Sequence, residues 1–174
     1  SRLDDIVSIK SFGGVGDGSD QTTTLQRAVD QLFINTATKG TPQSRVTLVL
    51  EAGTYNITNS IKVPPYATIK GAGRNKTFIV QTGNYPIFTT VNSTSTPGSY
   101  AADSSSTSLN QAQDIIIEGM TLEHTLSSFT GIELVSCKNS VFKNLNIKGP
   151  WTSGTGIVAA SIGVSMANLS TVVG

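Results

Sequence analysis

A single cysteine in 174 residues, Cys137, rules out an intrachain disulfide and a thiolate metal cluster. With no histidine next to it in sequence, Cys137 reads as a small buried residue in a strand rather than a reactive thiol. Charge is equally scarce, at 13% of residues and a formal net +1. The twelve Lys and Arg are scattered, so the clustered basic footprint of a nucleic-acid binder is missing. No apolar run reaches membrane-spanning length and no signal-peptide pattern opens the chain, which argues against a membrane partner. Ser1-Arg2 reads as an internal start. What the chain has in excess is Ser and Thr, about a quarter of all positions.

The strongest pattern lies between residues 114 and 149, where DIIIEGMTLEH recurs 25 positions later as NSVFKNLNIKG. Ile117 falls on Phe142, Met120 on Leu145 and Leu122 on Ile147, while Gly119 falls on Asn144, both residues that tolerate turn dihedrals. Short alternating strands at such a period describe a coil of stacked strands, each burying its apolar side against its neighbours. Ile69-Lys70-Gly71 matches Ile117-Glu118-Gly119 at a separation of 48, read as two periods. Thr130-Gly131-Ile132 recurs as Thr155-Gly156-Ile157, so the coil is still running where the sequence stops, and Gly174 reads as a cut. At ~4.8 Å per strand the sequence holds about four to six coils.

Upstream, Leu3 to Phe12 alternates as a strand should, and Gly13 to Gly18 reads as a loop without phosphate-binding spacing. Ser19 or Asp20 then caps an amphipathic helix with Leu25, Val29, Leu32 and Phe33 on one face, ending before Gly40. It is placed to be a lid on the bare end of the stack. Val46 to Leu50 is a strand, Glu51 to Tyr55 a turn, and Pro64-Pro65 ends the strand around Lys62. Residues 92–112 form a Ser/Thr-rich insertion, either a lateral loop or one facing a ligand or a second subunit.

Phe12-Gly13-Gly14-Val15-Gly16-Asp17-Gly18, the helix capped from Asp20, Glu51-Ala52-Gly53-Thr54-Tyr55 and Thr68-Ile69-Lys70-Gly71-Ala72-Gly73 occur in an order and spacing that resembles the start of the pectate lyase superfamily. The resemblance covers residues 7 to 80 by motif and the remainder by periodicity. Gln21 stands where the superfamily usually has a second Asp, and Glu51-Ala52 replaces its commoner proline-containing pair. The fold implied is all-β: a right-handed single-stranded parallel β-helix with an N-terminal capping α-helix, truncated at its C-terminal end. Residues 1–45 would hold the first strand, glycine loop and cap, and residues 46–174 the coils.

Alternation sends Ile116/Val141, Thr121/Asn146 and Glu123/Lys148 outward, with Glu118/Lys143 at the bend. These pairs suit charge ladders on a solvated face, while Ile116/Val141 make an apolar column for contact between shafts or cover by a loop of the same chain. Glycan hydrolysis needs two carboxylates about 5 to 9.5 Å apart, and elimination needs a base. Glu118, Glu123 and Glu133 are the weak catalytic candidates, though Lys148 beside Glu123 would keep that carboxylate ionised. The paired aspartates, Gly-His-Gly and Arg-x-Lys runs of superfamily hydrolases are absent, as is an aspartate cluster for calcium. His124, at a strand end, reads as a surface or loop-packed residue or a general base. Trp151 reads as loop packing or a sugar-stacking platform. No metal or cofactor is expected.

The leading expectation is a shaft segment of a phage tailspike or tail-fibre protein that recognises host surface polysaccharide, with cleavage of that polysaccharide left open. By resemblance it would be a homotrimer within a virion, contacting other virion proteins. The alternatives are a secreted pectate-lyase-like polysaccharide lyase or glycoside hydrolase, with most catalytic residues outside this segment, and a purely structural virion component.

Overall fold

The computed structural model describes residues 6–33, 46–94, 107–127, 130–150, 157–159 and 172–173. The chain enters through β1 (Ile6–Ser8), a 3-10 turn (Ile9–Phe12), β2 (Asp17–Asp20) and helix α1 (Thr22–Phe33). The next coil is β3 (Thr47–Leu50), β4 (Gly53–Ile57) and β5 (Ile61–Val63), followed by β6 (Thr68–Gly71), β7 (Thr77–Gln81) and β8 (Phe88–Thr90). Then come β9 (Ala112–Gln113), β10 (Ile116–His124), β11 (Ile132–Leu134), β12 (Cys137–Lys138), β13 (Val141–Lys148), β14 (Ile157–Ala159) and β15 (Val172–Val173). Among the described residues every strand pair is parallel, the arrangement of a parallel β-helix.

Three faces result. On the first, Val7, Leu48, Ile69, Ile117 and Phe142 lie one above another. On the second, Tyr55, Ile79, Leu122 and Ile147 do the same, and on the third Ile61, Phe88, Ile132 and Ile157. All of these except Val7 and Ile157 are buried, and those two pack against the same core. Strand β10 belongs to two faces at once: residues 116–118 pair with β6 and residues 121–124 with β7. The bend between its halves is Gly119, at φ 74°, and Asn144 at φ 52° repeats it one coil on.

The 48-residue match is therefore corrected. Ile69 and Ile117 are direct neighbours, one coil apart. The excess is the excursion between β8 and β9, which is close to one coil in length and so imitates a second period in the sequence.

Other local readings are also corrected. The opening strand stops at Ser8, whose hydroxyl accepts the Lys10 N–H, and the 3-10 turn ends on Gly13 at φ 84°. The glycine run is not all loop: Asp17 and Gly18 begin β2, which pairs with β4. Its composition serves a close approach, since a Cβ on Gly16 would lie 2.7 Å from the Gly53 Cα. The turn after β3 is shorter than expected, with β4 already under way at Gly53.

Helix α1 does close the end of the stack. Leu25, Ala28, Val29, Leu32 and Phe33 join the core that contains Ile9, Leu48 and Ile61. Asp20 caps it, accepting the Thr22 N–H at 3.0 Å and the Thr22 hydroxyl at 2.7 Å. Gln26 covers the open edge of β5. Its Oε1 accepts the Lys62 N–H at 2.7 Å and its Nε2 donates to the Lys62 carbonyl at 3.1 Å, replacing the peptide of a missing strand.

Candidate polysaccharide-binding face

The connections distinguish the faces. Bends between the first and second faces are short, at 51–52, 72–76 and the single residues 119 and 144. Connections from the second face to the third lengthen coil by coil, from 58–60 to 82–87, 125–131 and 149–156. The long excursion 91–111 leaves the other edge of the third face. Loops positioned on a rigid stack are where binding residues concentrate, so the third face, where long connections arrive and depart, is the candidate.

Its outward column is Lys62, Thr89 and Glu133, with Val158 at the next register position. The three side chains are half-buried and stand at successive rungs, about 4.8 Å apart. Burial pulls the Lys62 ammonium below its ordinary pKa, and the Glu133 carboxylate opposes that shift. An ammonium, a hydroxyl and a carboxylate in a row offer donors and acceptors suited to sugar hydroxyls.

The three glutamates are not brought together. Glu118 points out from the first face, between Lys70 and Lys143 in register, with Lys143 Nζ 3.6 Å from its carboxylate. Glu123 points out from the second face and pairs with Lys148 at 3.5 Å. Glu133 alone of the three is on the third face. Among the described residues, Glu133 is the one carboxylate in that outward column, so the paired carboxylates of a hydrolase are not assembled there. Nor do the described residues gather three or more metal-ligating side chains.

His124 is buried at the inner end of the second face, neither on the surface nor in a groove. Its Nδ1 accepts the Leu126 N–H at 3.0 Å, which leaves the proton on Nε2 to donate to the Tyr85 carbonyl at 2.7 Å. Trp151 lies outside the described residues. Thr121, expected to be outward and open, is covered because its hydroxyl donates to the Arg74 carbonyl of the 72–76 bend. Ile116 and Val141 stack in register and are both partly exposed. Cys137 is buried in β12 as expected.

Sequence reasoning missed Lys62 and Thr89 as members of the face. The signal was the unbroken inward pattern at Ile61/Val63 and Phe88/Thr90, which puts 62 and 89 outside, but deciding that the two stack required the coil boundaries.

A family model described as rhamnogalacturonase A/epimerase, pectate lyase-like, matches residues 6–173. Among solved structures, a protein of Geobacillus virus E2, ORF18, aligns at TM-score 0.63 and 23% identity, covering 82% of this chain and 25% of that one. The A-module of the Azotobacter vinelandii mannuronan C-5 epimerase AlgE4 aligns at TM-score 0.47 and 16% identity, covering 97% of this chain and 52% of the module. The chain thus spans a quarter and about half of those two proteins. No curated protein matches.

Proposed function

This chain belongs to the rhamnogalacturonase A/epimerase, pectate lyase-like family, and we propose that it is the shaft segment of a phage tailspike or tail-fibre protein whose third face binds a host surface polysaccharide. The supporting observation is the contrast between faces. The first and second faces are joined by short bends, as a stiff shaft requires, and the third carries the Lys62-Thr89-Glu133 column, with the lengthening connections at one edge and residues 91–111 departing from the other. The use of the same fold by a Geobacillus virus protein accords with this reading. In the virion such shafts would associate as homotrimers, with other virion proteins at their ends.

Sedimentation of the full-length protein, combined with binding to host surface polysaccharide, tests it. A trimer whose polysaccharide affinity drops on Glu133→Gln is the expected result. The family's own description favours a second reading, a secreted polysaccharide-cleaving enzyme. A full-length monomer that generates unsaturated or reducing sugar ends would establish that reading instead.

A further inference from the structure

The corner that leads into the first face is left-handed in three successive coils. Tyr66 (φ 64°), Asp114 (φ 53°) and Asn139 (φ 50°) each stand two residues before the mutually paired Thr68, Ile116 and Val141. The backbone bonds repeat too: the Tyr66 N–H donates to the Gln113 carbonyl at 2.9 Å, and the Asp114 N–H to the Lys138 carbonyl at 3.3 Å.

Asp and Asn adopt this conformation readily, whereas a bulky aromatic there is an outlier. Since two coils make the same corner with short polar residues, the backbone does not call for a tyrosine. Strain of this kind persists where the side chain has a use.

The side chains are available for one. Tyr66 is half-exposed, Asp114 and Asn139 are exposed, and no described hydrogen bond or ion pair occupies any of the three. Burial raises the Tyr66 hydroxyl pKa, and the nearby Asp114 carboxylate adds to the effect. Beside the corner stands the end of the excursion, where Gln113 Nε2 donates to the Leu109 carbonyl at 3.1 Å. Leu109 is 87% exposed, more than any other large apolar residue described.

We propose that Tyr66, Asp114 and Asn139 form a sugar-binding ridge, flanked by Leu109, that takes an uncharged segment of a polysaccharide. The ring of Tyr66 would pack on the C–H face of a sugar, the Asp114 carboxylate would accept from its hydroxyls, and the Asn139 amide would both donate and accept. An unpaired carboxylate in the middle of the ridge selects against uronates by like-charge repulsion. The ridge rests on the polysaccharide-binding reading above and extends it around the edge of the third face.

The test titrates the full-length protein with a neutral hexose oligosaccharide and with a uronate oligosaccharide of equal length, alongside thermal melting. Tyr66→Asn should raise the melting temperature by relieving the corner, yet weaken binding of the neutral oligosaccharide about tenfold. Asp114→Ala should weaken it similarly. If both variants keep the neutral affinity within about twofold, or if the unaltered protein prefers the uronate through these residues, the ridge is overturned. Binding that survives both variants but is lost in Glu133→Gln removes the ridge alone. An unaltered protein with no affinity for any glycan removes the parent reading as well.

Discussion

Gln81 and His124 are stacked in register and do the same work in successive coils. Gln81 accepts the Gly83 N–H at 2.9 Å and donates to the Pro86 carbonyl at 3.0 Å. His124 accepts the N–H two residues on, at Leu126, and donates to the Tyr85 carbonyl. Each ties the start of a connection toward the third face to the interior, through a polar side chain pointing into an apolar core.

Removing that anchor leaves buried backbone groups without partners. His124→Leu should cost about 1–3 kcal/mol in chemical denaturation. His124→Gln, which imports the residue from the coil below, should recover part of the loss. Equal stability of the two variants would show that the ring acts by volume alone.

The helix cap should fail in acid. The Thr22 hydroxyl and N–H hold the Asp20 carboxyl below its ordinary pKa. Because the folded-state value is the lower one, the stabilisation is complete above the ordinary carboxylate range and is lost as pH falls through the lowered value. Asp20→Ala should cost about 1 kcal/mol at neutral pH. The difference from the unaltered protein should narrow as the pH of the denaturation series falls below about 4.

Backbone contact between coils leaves no space for a methyl group at Gly71. A Cβ there would sit 2.4 Å from the Gly119 carbonyl oxygen. Gly71→Ala should therefore destabilise by about 1–3 kcal/mol, read from the denaturation midpoint.

The ladder of ion pairs should contribute little. Lys148 and Glu123 are both well exposed at 3.5 Å separation, so a double-mutant cycle should return about 0–1 kcal/mol and shrink with added salt. Glu123→Gln, on the second face and outside the Lys62-Thr89-Glu133 column, should leave polysaccharide affinity unchanged in the titration where Glu133→Gln lowers it.

The stack was legible because burial writes itself as alternation. Ile117, Met120 and Leu122 predicted Phe142, Leu145 and Ile147 residue for residue, including the Gly119/Asn144 bend and the Glu123/Lys148 pair. The same logic erred where an excursion nearly as long as a coil stood between Ile69 and Ile117. The orientation of His124 was not legible at all, since alternation puts a polar residue in the core only if a turn supplies partners, and turn conformation is not periodic. Tyr66 was hidden for a related reason: its left-handed backbone runs against the preference of its own side chain. For the site, Glu133 could be named from sequence, but its separation from Glu118 and Glu123 onto another face depended on where each coil turns.

The Gln26 amide seated on the Lys62 peptide gives the stack a direction of growth. With one end closed by a side chain and a helix, length can change by adding or deleting whole repeats beyond that cap. Each duplication of a unit such as 116–140 would lengthen the rod by one strand spacing, about 4.8 Å, without touching the cap. A protein built this way can adjust its reach in fixed steps, and duplication of a coding segment is enough to take one.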